Sequence, residues 1–243
     1  MRDYKAELEK RVEFIKNIIK ESHADGIVFG NSGGKDCALV GILCKKACEN
    51  TLSVMMPCQS KRNFGEDMED AIAVSEKFGI ENRVVDLTRA KEIMMELTGG
   101  VTTLNNMATS NIAPRLRMTT LYTIGAAENR LVAGTGNRSE RYMGYFTKWG
   151  DGACDFNPIS DLTVTEVYEF LEYLGAPENI IKKAPSAGLF EGQTDEEEMG
   201  VTYKSVDDYI LYGRVNDRDK EIIDRYHNKS GHKRVMPKVY KEI

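Results

Sequence analysis

A short apolar run, a glycine-rich turn and the start of a helix follow one another near the beginning of this chain. The run 26–29 (GIVF) has the length and composition of a buried strand. Residues 30–37 (GNSGGKDC) form the turn, and 38–43 (ALVGIL) are typical of a helix. A strand that turns directly into a helix is typical of α/β folds, so this segment predicts a parallel sheet covered by helices.

The composition of this turn is that of a phosphate-binding loop. A helix N-terminus offers unpaired N–H groups and the positive end of its dipole, and glycines let the backbone approach an anion closely. Ser32 adds a hydroxyl donor. Asp36 would repel phosphate, so we expect it to hold a magnesium ion that bridges phosphates. The spacing fits neither a Walker A loop nor a GxGxxG motif.

The rest of the chain continues the alternation of strands and helices. Strands are predicted at 26–30, 52–56, 83–87 and 131–134. Apolar residues at helical spacing predict helices at the N-terminus and at 37–48, 65–78, 89–97, 112–128, 163–174 and 217–229, with another beginning near 205. This pattern predicts a doubly wound α/β sheet with ligands at the carboxyl ends of its strands, and it leaves the strand order open.

Two stretches, 136–162 and 186–204, show little regular pattern and are predicted to be irregular. Long irregular segments in a compact domain are usually either functional or disordered. The second carries glycines and an acidic run, and we expect it to act as a lid over a reactive intermediate. Neither repeats nor low-complexity linkers are present, so residues 1–243 are interpreted as a single domain.

Charge and composition exclude several classes of protein. The net charge of −5 disfavours a dedicated nucleic-acid binder. The absence of a long apolar run predicts no membrane span, and the charged N-terminus is unlike a signal peptide, so a cytoplasmic location is expected. The five cysteines lack a CxxC pair, which predicts reduced thiols and no structural zinc.

Seven further segments, together with the turn, match one protein family. They are 111–118 (NIAPRLRM), 134–140 (GTGNRSE), 144–152 (GYFTKWGDG), 155–158 (DFNP), 182–189 (KKAPSAGL), 193–196 (QTDE) and 232–234 (HKR). The turn resembles the Ser-Gly-Gly-x-Asp-Ser loop of ATP pyrophosphatases, with Cys37 at the final serine. In this order, the segments resemble the ammonia-dependent NAD synthetases over essentially the whole chain.

The resemblance implies a Rossmann-like sheet of about five parallel strands and a set of functional residues. ATP is expected to contact Gly30, Asn31, Ser32, Gly33, Gly34, Lys35, Asp36, Cys37, Thr135 and Ser186. Deamido-NAD is expected to contact Arg115, Lys148, Asp155, His232 and Lys233. Asp36 and Glu140 are expected to hold Mg²⁺, and these two residues and Lys148 are the expected catalytic residues.

The implied reaction is the ATP-dependent amidation of deamido-NAD to NAD through an adenylated carboxylate. The chain length leaves no room for a glutaminase domain, so the expected nitrogen donor is free ammonia or ammonia from a separate protein. The family resemblance also implies a homodimer. No membrane or nucleic-acid partner is expected.

Three other functions compete with this interpretation. A tRNA-thiolating enzyme would share the phosphate turn, but it usually needs paired cysteines and a basic RNA surface. An amide-forming enzyme of the GMP-synthetase type would need a different acceptor pocket. A non-catalytic nucleotide sensor could keep the turn, yet would have little need for Glu140 and two substrate-binding cations.

Overall fold

The computed structural model describes residues 2–59, 64–183 and 194–240. Its sheet contains four parallel strands in the order β3-β2-β1-β4. They are β1 (Gly26–Gly30), β2 (Thr51–Met55), β3 (Glu81–Val84) and β4 (Arg130–Ala133). Because the chain leaves β1 toward β2 and β3 on one side and later returns to β4 on the other, the strand order reverses between β1 and β4.

The predicted fold class is confirmed, and the predicted count of about five strands is wrong for the described residues, where the sheet has four. A fifth position exists only as an isolated parallel bridge between Ala133 and Phe156. Asp155 lies one residue before this bridge, and its main-chain N–H bonds the carbonyl of Val132. The segment is therefore too short to form a strand, although it lies beside β4.

Helices cover both faces of the sheet. Up to β4 they are α1 (Tyr4–Ser22), α2 (Lys35–Ala47), α3 (Glu66–Phe78), α4 (Thr88–Gly99), α5 (Asn106–Ser110) and α6 (Ile112–Glu128). Beyond it lie α7 (Arg138–Met143), α8 (Val164–Leu174), α9 (Glu178–Lys182), α10 (Asp195–Met199), α11 (Tyr203–Tyr212) and α12 (Asp217–Lys229), followed by a 3₁₀ turn (Gly231–Lys233). None of the helices in these ranges is long and apolar enough to cross a membrane.

The side chains of β1 alternate between two cores, as the pleat of a strand requires. Phe29 points into one core with Leu39 of α2 and Phe170 of α8. Val28 points into the other with Leu121 of α6. Because both faces of β1 are buried, its register is fixed, and the turn that follows it is held at a defined place on the sheet edge.

A third apolar cluster supports the second half of the site. Met143 of α7 packs with Val164 of α8, Tyr203 and Val206 of α11, and Ile223 of α12. All five side chains are almost completely buried. This cluster holds α7 beyond the carboxyl end of β4 and links it to the C-terminal helices.

Two stretches predicted to be irregular contain helices. α7 lies inside 136–162, and α10 and the start of α11 lie inside 186–204. The helices α7 and α10 have six and five residues, so they are too short to show hydrophobic periodicity. Capping boxes begin both, and a cap motif is a weaker sequence signal than a periodic apolar face. Residues 186–193 of the predicted lid lie outside the described ranges.

Candidate active site

One large cavity, about 1010 Å³ in volume, opens at the carboxyl ends of β1 and β4. The predicted site residues that line it are Gly30, Asn31, Ser32, Gly34, Lys35, Asp36, Cys37, Arg115, Thr135, Glu140, Lys148, His232 and Lys233. Residues from positions 30 to 233 therefore meet in one space, as a reversal of strand order between β1 and β4 allows. Ser186 lies outside the described residues.

The turn after β1 is held by hydrogen bonds inside the sheet edge. Buried Asn31 donates to Ser53 Oγ at 3.1 Å and accepts from the Gly33 N–H at 3.1 Å. Gly33 has φ +71°, and a Cβ there would collide with the Asp67 carbonyl oxygen. Only glycine fits both conditions, so Gly33 shapes the turn from behind rather than lining the cavity.

The first turn of α2 faces the cavity without a capping side chain. Gly34 is its N-cap, and no side chain caps the helix there. The N–H groups of the first turn are therefore left for an anionic ligand. Ser32 is exposed beside them, and its hydroxyl lies 3.3 Å from Cys37 Sγ. This arrangement suits phosphate oxygens.

Asp36, in the first turn of α2, and Glu140, in α7, form a pair of carboxylates at the same end of the cavity. Asp36 Oδ2 accepts from Lys35 Nζ at 2.7 Å, and Asp36 Oδ1 accepts from Asn137 Nδ2 at 3.0 Å. Burial, followed by the negative charge of Asp36, raises the pKa of Glu140 to about 8. Two buried carboxylates that repel each other favour the binding of a cation, because its positive charge relieves the repulsion.

Lys35 supplies part of that positive charge. Its side chain is 7% exposed, and its ammonium lies 5.8 Å from the ring centroids of Tyr168 and Tyr203. Burial alone would lower the pKa of Lys35, but the charges of Asp36 and Glu140 outweigh burial and raise it. Lys35 is therefore a permanent cation at this end of the cavity.

Within the described residues, no cluster of three or more His, Cys, Asp or Glu side chains is suited to hold a metal. Asp36 and Glu140 still fit magnesium, because this ion is commonly held by one or two carboxylates together with phosphates and water. The repulsion between the two carboxylates fits a divalent cation as well. A metal here would depend on the nucleotide for its remaining ligands.

The other end of the cavity carries cations bonded to main-chain carbonyls. Lys148 Nζ donates to the His232 carbonyl at 2.7 Å, and Arg115 Nη2 lies 3.5 Å from the Lys148 carbonyl. Lys233 Nζ donates to the carbonyls of Gly144 and Phe146 at 2.8 and 2.6 Å. Carbonyls do not neutralise a cation, so the charges of Lys148 and Arg115 remain available to an anionic ligand. Lys233 is also attracted by the carboxylate of Asp151, which lines the same cavity.

Asp155 lies apart from the side chains that line the cavity. Its Oδ2 accepts from the Val132 N–H of β4 at 2.7 Å, and its Oδ1 accepts from the Tyr122 hydroxyl at 3.2 Å. The residue itself is exposed. The structure thus places Asp155 on the outer side of β4, beside α6.

Three polar residues in or beside the matched segments have contacts in the site that sequence reasoning did not assign. Arg117 donates from Nε to the Met56 carbonyl at 3.1 Å, and burial lowers its pKa. Lys183 Nζ bonds Asp67 Oδ1 at 2.9 Å and also bonds Asp70. Asn137 contacts both Asp36 and Glu140. The contacts of Arg117 and Lys183 and the contact of Asn137 with Asp36 join distant parts of the chain, so the only sequence signal for them was the place of these residues in or next to the matched segments. The contact of Asn137 with Glu140 is local and belongs to the capping box of α7.

Comparison with known proteins identifies the family. A family model described as NAD synthase matches residues 7–242. The NH(3)-dependent NAD(+) synthetase of Carboxydothermus hydrogenoformans is 46% identical over 240 residues, which cover 98% of each chain. The enzyme of the same name from Archaeoglobus fulgidus is 42% identical over 238 residues, covering 96% of this chain and 95% of its own.

Solved structures agree over the full length. An NMN synthetase from Francisella tularensis is 38% identical with a TM-score of 0.93, covering 98% of this chain and 99% of its own. An NH3-dependent NAD synthetase from Campylobacter jejuni, in complex with the nitrate ion, is 31% identical with a TM-score of 0.82, covering 99% and 100%. The sequence and the fold both show that this chain belongs to the NAD synthase family of enzymes.

Proposed function

We propose that this chain converts deamido-NAD to NAD, with ATP as the activating substrate and ammonia as the nitrogen donor. One observation carries the proposal: a single cavity joins a glycine-rich turn and a carboxylate pair to a group of cations whose hydrogen bonds go to main-chain carbonyls. Such a cavity accommodates ATP at one end and an anionic acceptor at the other. The tRNA-thiolating, GMP-synthetase-type and sensor alternatives are disfavoured, because the relatives are NAD synthetases along the whole chain.

In the first half-reaction, an oxygen of the nicotinate carboxylate attacks the α-phosphorus of ATP. The bond from that phosphorus to the oxygen shared with the β-phosphate breaks, and pyrophosphate leaves. The N–H groups of the first turn of α2, with Ser32, hold the departing phosphates. Lys35 keeps a positive charge close to the carboxylates as negative charge moves onto the leaving group.

Asp36 and Glu140 are the side chains that would hold magnesium, because two buried carboxylates that repel each other favour a divalent cation. When bound, magnesium supplies positive charge that neutralises the phosphates of ATP. Thr135, on the turn after β4, lines the same end of the cavity and offers a hydroxyl to the nucleotide. Cys37 lines it from the start of α2.

In the second half-reaction, ammonia attacks the carboxyl carbon of the acyl adenylate. The bond from that carbon to the phosphate oxygen breaks, AMP leaves, and the nitrogen gives up a proton as the amide forms. Arg115 and Lys148 orient the acceptor by binding its phosphate and carboxylate oxygens. Lys148 does so as a catalytic residue, because it would contact the reacting carboxylate. His232 and Lys233 complete this end from the C-terminal segment.

The reaction is tested by incubating the purified protein with ATP, Mg²⁺ and deamido-NAD, with ammonium or glutamine as the nitrogen source. NAD formed with ammonium and not with glutamine is the expected result. A protein that forms neither NAD nor AMP would refute the proposal. Exchange of labelled pyrophosphate into ATP that requires deamido-NAD separates an enzyme from a nucleotide sensor.

One specific observation suggests nicotinate mononucleotide as a second substrate that could receive the ammonia nitrogen. The Francisella tularensis protein that matches with a TM-score of 0.93 is named an NMN synthetase. Nicotinate mononucleotide carries the same carboxylate as deamido-NAD and lacks the adenylate half. The ratio of kcat/KM for the two acceptors decides between them, and we expect deamido-NAD to have the larger value.

We also propose that the enzyme is a cytoplasmic homodimer. Large apolar side chains are exposed along one stretch of the chain, namely Ile93, Met94, Leu97, Val101 and Met107. Exposed apolar surface of this kind favours a protein partner, and a second copy is the simplest one. Each of the five cysteines is free, which fits a reducing compartment. Sedimentation at micromolar concentration tests the dimer.

A further inference from the structure

Asn137 connects the two carboxylates through its own polar atoms. It lies in the turn after β4, is completely buried, and is the N-cap of α7. Its side-chain oxygen accepts from the Glu140 N–H at 3.0 Å, while its amide nitrogen donates to Asp36 Oδ1 at 3.0 Å. Its main-chain N–H donates to Glu140 Oε2 at 3.2 Å. One residue therefore contacts both proposed magnesium ligands.

The capping function alone does not require asparagine at this position. Two other capping boxes in the described residues, at α8 and α10, have the same arrangement with a glutamate at the third helical position. Their N-cap residues are Thr163 and Thr194, whose hydroxyls accept from the backbone just as the Asn137 oxygen does. Threonine would therefore suffice to begin α7.

Asn137 differs from these two threonines in the contact of its amide nitrogen with Asp36. An amide can accept from a main-chain N–H and at the same time donate to a carboxylate 101 residues away in the chain. A threonine hydroxyl is too short to reach from the helix cap to Asp36. The amide is also neutral, so it holds Asp36 without cancelling the negative charge that a cation needs.

We propose that Asn137 is a positioning residue that fixes Asp36 and Glu140 relative to each other and so sets the affinity of the site for magnesium with ATP. The inference rests on the proposed function, because the two carboxylates are magnesium ligands only in that scheme. Groups that orient metal ligands usually change metal affinity ten- to a hundred-fold when they are lost. Asn137 acts on the metal only through the carboxylates.

The test is the variant Asn137→Thr, which keeps the helix cap and removes the contact with Asp36. Calorimetry measures the binding of Mg²⁺ to the protein with α,β-methylene-ATP, an analogue that cannot release pyrophosphate. We expect the apparent dissociation constant for Mg²⁺ to rise by about ten-fold. Excess Mg²⁺ should then restore most of kcat in the NAD-forming assay.

The matched control is Asn216→Thr, which makes the same change at the N-cap of α12, where the side chain accepts from the Asp219 N–H and is exposed. Asn137→Thr should still fold, and it should lower the melting temperature more than this control, because it also removes a buried hydrogen bond to Asp36. Unchanged Mg²⁺ affinity, or activity that excess Mg²⁺ does not restore, would overturn the proposal.

A second variant, Asn137→Ser, guards against a local packing defect. If neither variant folds, Asn137 has a structural role and the proposal is wrong. The calorimetric measurement needs no deamido-NAD. A wild-type protein that binds Mg²⁺ with the analogue but makes no NAD would therefore refute the proposed function and leave the positioning role to be decided by the variants.

Discussion

The two ends of the cavity, one beside the turn after β1 and the other around Lys148 and Lys233, hold their charged side chains in different ways. At the proposed nucleotide end, the side chain of Asp36 bonds those of both Lys35 and Asn137, and all three are largely buried. At the acceptor end, Lys148 and Lys233 bond main-chain carbonyls near the surface. The side chains of the first end are fixed before any ligand binds. At the second end, a lysine ammonium group can exchange a main-chain carbonyl for a ligand oxygen at little cost in free energy. Changes at the first should affect chemistry most, and changes at the second should mainly affect acceptor binding.

The largest effect is expected from Asp36→Asn. The substitution removes a charge from the buried pair while keeping the size of the side chain, so kcat for NAD formation should fall about 10³-fold. The melting temperature should change little by comparison. Asp86→Asn is the matched control, because Asp86 is an exposed carboxylate that accepts from the Thr88 N–H just after β3. A drop of less than ten-fold for Asp36→Asn would show that this end is not the centre of the chemistry.

The next largest effect is expected on the stability of the protein, from a substitution at the nucleotide end of the cavity. Lys183→Met would leave Asp67 and Asp70 as neighbouring, mostly buried carboxylates without their shared cation. The free energy of unfolding should fall by about 3 kcal/mol, measured by urea denaturation. Lys182→Met is the control, since Lys182 is exposed and bonds the exposed Glu178 one turn earlier in the same helix. Equal losses in both variants would contradict a buried ion cluster.

The difference in stability between wild type and Lys183→Met should also depend on pH. Burial would lower the pKa of Lys183, but its bonds to Asp67 and Asp70 outweigh burial and raise it. A pKa raised by folding stabilises the fold fully below the unfolded value of about 10.4, and that contribution is lost as pH rises through the folded value. The stability difference between wild type and Lys183→Met should therefore be constant from about pH 7 to 9 and should narrow above about pH 10.4.

A smaller and more selective effect is expected at the acceptor end. Lys148→Met should raise the KM for deamido-NAD and lower kcat/KM about 30-fold, while the KM for ATP stays within about two-fold. Lys204→Met, which changes an exposed lysine bonded to Asp208, provides the control. If the KM values for ATP and deamido-NAD rise together, the two ends of the cavity are not separate in function.

The smallest effect is expected at Cys37. Replacing it by serine puts a stronger donor beside the Ser32 hydroxyl, which lies 3.3 Å from the present sulfur. The KM for ATP should fall by about two-fold, with kcat unchanged. Cys44→Ser, at a completely buried position of the same helix, is the control for packing and should lower stability without improving ATP binding. A rise in the KM for ATP in Cys37→Ser would show that the thiol suits this turn better than a hydroxyl.

Local features of the fold were predictable, and contacts between distant segments were not. The strand and turn that contain Gly30 follow from apolar patterning and glycine placement over a dozen residues. The contact of Asn137 with Asp36 joins the N-cap of α7 to the first turn of α2 across 101 positions, and no local sequence pattern predicts it. Lys35 illustrates the same limit: the sequence predicts only a contact with ATP, and its burial against Asp36 is seen only in the fold.

The order of the strands also has a consequence for synthesis of the protein. Ile27 of β1 has two neighbours in the sheet: Thr51 of β2 follows it by 24 residues in the chain, whereas Leu131 of β4 is made more than one hundred residues later. At the usual rates of translation that delay is about 5 to 20 seconds. During this interval one edge of the central strand is open on a chain still attached to the ribosome. We expect nascent chains of this enzyme to need shielding by a chaperone until β4 emerges and the edge closes.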